Sequence, residues 1–108
     1  MSFEERLAEA VKKVVPEAAP NVYEGQARVF ATWNFNELGR LFAEGKPNAV
    51  QYLAQVHVYL PKKYPWAEIK RQMQQELFKL GGTWPDIIDA SDRDGEHLVF
   101  EFDAVEGI

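Results

Sequence analysis

The sequence predicts an α+β fold with element order α-β-β-β-α-β-β, a largely antiparallel sheet with two helices packed on one face. Three observations predict it. Apolar residues recur at helical spacing near the start of the chain and again past its middle. Between and after those stretches, apolar and polar residues alternate with a period of two. Clusters of Pro and Gly separate the runs. At 108 residues, 46% of them hydrophobic, the chain holds one modest core, and residues 1–108 are read as a single domain.

The first helix is marked at its start by Ser2 and Glu5, the two members of a capping box. Phe3, Leu7, Val11 and Val14 form one narrow apolar stripe, and Pro16 and Pro20 stop the helix. So narrow a stripe suits a helix lying on a sheet. NVYEG at 21–25 reads as a short extended piece. Residues 26–35 read as a longer strand with Ala27, Val29, Ala31, Trp33 and Phe35 on one face. Residues 36–48 carry two Gly and a Pro among charges and read as a loop with at most a brief helical turn.

The strongest strand pattern lies at 49–60, where Tyr52, Ala54, Val56, Val58 and Leu60 alternate with Leu53, Gln55, His57 and Tyr59. Pro65 suits the first position of the second helix, where its missing N–H is not needed. Trp66, Ile69, Met73, Leu77 and Leu80 give that helix its stripe, and Gly81-Gly82 end it.

The stretch SDRDGEHLVFE at 91–101 resembles a calcium loop at first sight. With Gly95 as the bend, Asp92, Asp94 and Glu101 fall on ligand positions, but the first ligand position is Ala90, which has no side-chain oxygen. A hard cation needs roughly six to eight oxygens. Leu98, Phe100 and Phe102 also alternate with His97, Val99, Glu101 and Asp103, as in a half-buried strand rather than a helix. The stretch is therefore read as a hairpin: a strand at 86–91, a turn at Asp94-Gly95, and a last strand.

Composition excludes several functions. There is no Cys, hence no disulfide, no thiolate metal site and no cysteine nucleophile. A net charge of −5 disfavours a sequence-specific nucleic-acid reader, which must neutralise phosphates. Nothing approaches the roughly 18–20 apolar residues that span a bilayer, so no membrane partner is expected. The start SFEE is unlike a signal peptide, which sets the expected location in the cytoplasm of the producing cell.

His57 and His97 lack the spacing of a metal motif, so no metal and no cofactor are expected. Asp86, Asp89, Asp92 and Asp94 are dense enough to consider as acid–base carboxylates, but Asp is also favoured in turns for its local hydrogen bonds. No catalytic residue is assigned.

Aromatic residues are more informative, because Trp33, Phe35, Tyr52, Tyr59, Tyr64, Trp66 and Trp84 exceed what one core face must hide. Both faces of the 49–60 strand are apolar, which points to a second subunit. The candidate interface residues are Leu38, Arg40, Leu41 and Phe42 in the 36–48 segment, with Leu53, His57 and Tyr59 on the strand.

The pattern YLAQVHVYLP at 52–61, LFKLGGTWPD at 77–86, DASDRDGEHLVFE at 89–101 and AVEGI at 104–108 resembles small tail-module proteins of phages and prophages of Gram-positive bacteria. VP at 15–16 and PNVYEG at 20–25 fit the same pattern, while the 36–48 segment is longer and less acidic than the corresponding connection. In element order the chain is similar to tail terminator and tail completion (head–tail joining) proteins. That resemblance implies a structural virion protein of the tail or neck, assembled in the host cytoplasm. It also implies self-association into a hexameric ring, with the tail tube protein and the head–tail connector protein as partners. Two alternatives stand beside it: another minor virion or tail-assembly component, and a small enzyme using the carboxylates from Asp86 to Asp94.

Overall fold

The structure is a computed structural model that describes residues 1–107, apart from the side chains of Leu41, Phe42, Ala43 and Pro47. Its elements are α1 (Phe3–Val14), β1 (Ala18–Pro20), β2 (Phe30–Ala43), β3 (Lys46–Leu60), α2 (Ala67–Phe78), β4 (Asp86–Asp89) and β5 (Glu96–Gly107). They build the predicted α+β fold. The five strands form one sheet in the order β1-β2-β3-β5-β4, antiparallel except where β1 runs parallel to β2.

The capping box forms at the start of α1. The Glu5 amide donates to Ser2 Oγ at 3.2 Å, and the Ser2 amide donates to the Glu5 carboxylate at 3.4 Å. Two orphan donors of the first turn are thereby satisfied. Phe3, Leu7, Ala10 and Val11 are buried and lie on the sheet with Met73 and Leu77 of α2. Leu98, Phe100 and Phe102 of β5 fill the same core, each no more than 2% exposed. At one end of this core the Phe3 ring stacks on Tyr52 at 4.3 Å and meets the edge of Phe35 at 5.3 Å.

The structure corrects several boundaries. The extended piece expected at 21–25 lies earlier, at Ala18–Pro20, and β2 begins at Phe30 rather than at 26. The intervening segment wraps around Tyr23 instead of pairing. Its hydroxyl donates to Glu17 and accepts from the Ala27 amide, at 3.1 and 3.2 Å. Asn21 takes a positive φ of 61°, which Asn tolerates better than most residues. Trp66 is the N-cap of α2, so Pro65 stands one place before the cap. β4 ends at Asp89 rather than 91. In the β4–β5 hairpin the bridge joins Asp92 to Gly95, which puts Arg93 and Asp94 at the tip. The role of Gly95 is close approach: a Cβ there would stand 3.0 Å from the Leu60 carbonyl oxygen.

The largest correction concerns 36–48. This segment is no loop. β2 and β3 pair from Phe30↔Tyr59 to Ala43↔Lys46, forming a long ribbon closed by Glu44-Gly45. Those two residues have φ of 53° and 76°, the left-handed pair of a two-residue hairpin turn. A register shift makes Leu38 the extra residue of a bulge, next to Gly39 at φ 150°. The glycines that read as loop punctuation thus serve a bulge and a tight turn. The molecule measures 52 × 23 × 20 Å. A 15-residue strand such as β3 spans about 50 Å by itself, so the ribbon sets the long dimension.

Candidate interaction surface

The two helices cover one face of the sheet. On the other face the described residues place no helix, and the side chains there interact laterally. Phe30, Tyr59 and His97 stand directly opposite one another on β2, β3 and β5. Their register makes a column of rings: Tyr23 on Phe30 at 4.6 Å, Phe30 on Tyr59 at 4.7 Å, and Tyr59 on His97 at 4.2 Å.

His57 closes the column. It lies diagonally across from His97, with His57 Nδ1 and His97 Nε2 2.9 Å apart and the ring centroids 5.1 Å apart. A centroid separation so much longer than the N···N distance means that the rings meet nearly head-on. That is the geometry of an N–H···N hydrogen bond, in which one imidazole donates and the other accepts. Chelation would need the lone pairs to converge on a point to one side. Burial lowers the His57 pKa, and the neighbouring His97 lowers it further. Burial also lowers that of His97, opposed by Asp92 and Asp89. Both shifts disfavour protonation of the pair.

Beyond His57 the face turns polar. Gln55 Nε2 donates to the Glu101 carboxylate at 2.7 Å from the directly opposite position. Glu101 in turn stands opposite Asp86 of β4. Leu53 and Trp84 line a notch of about 210 Å³ here, rimmed by Asp86, Glu101 and Asp103. Trp84 is 50% exposed and meets Phe78, itself 48% exposed, edge to face at 5.3 Å.

The seven candidate interface residues therefore fall into two groups. Leu53, His57 and Tyr59 share the uncovered face, each half-buried. Leu38 and Arg40 are exposed on the ribbon, while the Leu41 and Phe42 side chains lie outside the described residues. Sequence reasoning missed Phe30, Tyr23 and His97 as parts of this surface. The available signal was the parity of β5, which puts His97 on the same face as Val99 and Glu101.

The acidic cluster is occupied locally. The Ser91 amide donates to Asp89 Oδ1 at 2.9 Å, and the Asp94 amide to Asp92 Oδ1 at 2.8 Å. These are turn hydrogen bonds. The Ser91 contacts lower the Asp89 pKa, opposite to what a general acid needs. A cleft of about 460 Å³ opens between Arg28, Phe30, Tyr59 and the hairpin residues Asp92, Asp94 and Glu96. Among the described residues no group of three or more His, Cys, Asp or Glu could hold a metal ion. No described helix is long and apolar enough to cross a membrane.

Fold and surface together define a small α+β protein with one helix-covered and one uncovered sheet face. No protein-family model matches the chain, and no curated protein matches it. Among solved structures, one protein superposes with a TM-score of 0.54 over 98% of this chain and 90% of that chain, at 15% identity. That likeness shows a shared fold.

Proposed function

We propose that this chain is a structural protein of a phage or prophage tail, which assembles into a six-fold ring at the head-proximal end of the tail tube. There it stops tube growth and joins the tube to the head connector. The observation that carries this reading is the uncovered sheet face joined to a projecting ribbon, a large surface suited to subunit contact. The resemblance in sequence pattern to tail terminator and tail completion proteins supports the same reading. So does the turn bonding of Asp89 and Asp92, which gives the carboxylates a structural use. With a net charge of −5, a lumen lined by carboxylates would repel DNA phosphates and let the genome slide through.

Deletion of the gene tests the role. The expected result is tail tubes of uncontrolled length that fail to join heads, restored by the gene supplied in trans. Electron microscopy of tubes mixed with purified protein should show a ring at one end. Tubes of normal, terminated length in the deletion strain would overturn the proposal.

A further inference from the structure

We propose that the free edge of β2 pairs with the β2 edge of a second copy, antiparallel, about a two-fold axis between Leu38 and Gly39. β1 covers this edge only from Ala31 to Trp33. Beyond Trp33 no described strand lies outside β2, although its pairing with β3 continues to Ala43. A row of unpaired backbone groups of this kind is a template for another strand.

The covered part of the edge shows which way the backbone groups point. The Ala31 amide donates outward to the Glu17 carbonyl at 3.0 Å, and the Trp33 carbonyl accepts from the Asn21 amide at 2.9 Å. Alternation then turns the backbone groups of Phe35 and Glu37 outward as well. The bulge resets the phase. Glu37 stands opposite Tyr52 and Arg40 opposite Val50, two positions of β3 that share a face and a direction. Glu37 and Arg40 therefore both send their backbone groups outward and both carry their side chains on the Tyr52 face. Without the extra residue Leu38, residues three apart would face opposite ways. Tyr52 registers both charges: burial raises its pKa most, Glu106 and Glu37 add to that, and Arg40 opposes them.

A two-fold edge contact requires this arrangement. Pairing about Leu38 and Gly39 sets Glu37 of each copy opposite Arg40 of the other, in an outward-facing pair at both positions. Both side chains are exposed, and neither enters an ion pair among the described residues. Opposite charges directly across two strands, with Cβ atoms about 5 Å apart, stabilise a sheet. On the other face the same register sets Leu38, 53% exposed, opposite Gly39 of the second copy. A Cβ on Gly39 would meet nothing within 4 Å, so the space beside it is open to that leucine. Each copy gives and receives both contacts, so the interface is isologous and closes at two copies. It does not build the ring, and it stands apart from the tail reading.

Charge reversal tests the contact. In sedimentation the chain should self-associate as concentration rises, with the dimer as the first step. Arg40→Glu and Glu37→Arg should each weaken that dimer by about tenfold or more, because symmetry sets like charges opposite each other twice. The chain carrying both substitutions should recover it, because the charges are exchanged and not removed. The chain has no Cys, so single cysteines read the register. A mixture of Glu37→Cys and Arg40→Cys chains should oxidise to a mixed disulfide dimer faster than either chain alone, since paired Cα atoms stand about 5.5 Å apart. The mixed dimer keeps one Glu37–Arg40 pair intact. Circular dichroism checks that each variant folds. A parent chain that stays monomeric, single charge variants that dimerise like the parent, folded singles without recovery in the double variant, or cysteine chains that cross-link as fast alone as mixed would each overturn the contact. A dimer with this register in a protein whose deletion leaves tail length unchanged would sustain the contact and refute the tail role instead.

Discussion

The two faces of the sheet are made by alternate residues of the same strands, yet they are held by different forces. On β5, Leu98, Phe100 and Phe102 enter the core under α1 and α2 and are almost fully buried. Their neighbours His97, Glu101 and Asp103 point the other way and remain half-exposed. The helix-covered face is held by volume, because each side chain is enclosed by others from three directions. The uncovered face is held by pairs: ring on ring, His57 to His97, Gln55 to Glu101. Val99 is the one described residue of that face on β5 that is buried, flanked by His57 on β3 and Ile88 on β4. Lateral pairing orders a surface without covering it, and leaves it free for a partner.

The sharpest way to break this comparison is to remove one large side chain from each face. Phe100→Ala should cost roughly 3–5 kcal/mol, the range for deleting a buried aromatic ring. Tyr59→Ala, on the other face, removes stacking worth about 0.5–1.5 kcal/mol per aromatic pair beyond its buried area. Chemical denaturation of both variants gives the ratio. Equal shifts in midpoint would show that the uncovered face is as much a core as the covered one.

Much of this asymmetry was legible in the sequence, because it follows from parity alone. A period of two assigns Phe100 and Glu101 to opposite faces whatever the register. The helix stripes Leu7/Val11 and Met73/Leu77 then say which face is covered. The capping box at Ser2 was legible for a similar reason, since it depends on residues three apart. What parity cannot give is register. The His57–His97 pair and the ring column exist because Tyr59 aligns with His97 and Phe30, which is a long-range fact. The ribbon escaped for another reason. Gly39, Gly45 and Pro47 read as breakers, the bulge at Leu38 interrupts the alternation, and beyond the Leu41–Ala49 pair β5 no longer runs beside β3.

Gly82 sharpens the comparison at the margin between the two faces. It bridges to Ala104 of β5 where the chain returns from α2 to the sheet, and a Cβ there would run into the Asp103 backbone. Neither face can give, because Ala104 is in the core and the Asp103 amide is bonded to Thr83 Oγ1 at 3.0 Å. Gly82→Ala should therefore cost about 1–3 kcal/mol, the usual penalty of overpacking. By contrast, Gly107→Ala, where an added Cβ meets nothing within 4 Å, should leave the thermal midpoint unchanged. A Gly82→Ala protein as stable as its parent would mean that the approach to β5 is looser than the bridge implies.

The smallest expected effect belongs to the His57–His97 pair, and it depends on pH. Both pKa values lie below the ordinary 6.5, mainly through burial, so the folded chain resists protons that the unfolded chain binds. Stability from the neutral pair is therefore complete above 6.5 and falls as pH drops below it, until the folded pKa values are passed. Asp89 and Asp92 pull His97 the other way without cancelling the effect of burial. Asp89 contributes its own acid sensitivity, but in the separate range below its ordinary 3.8. The surroundings of the two rings limit the size of the loss. They are stacked on Tyr59 and remain partly open to solvent, so screening holds it under about 1 kcal/mol. His57→Gln keeps a polar side chain but removes one titration. It should flatten the decline of the melting temperature between pH 7 and 5 while changing little above pH 7. If parent and variant decline in parallel, the pair does not report the state of the uncovered face, and acid sensitivity must originate on the covered one.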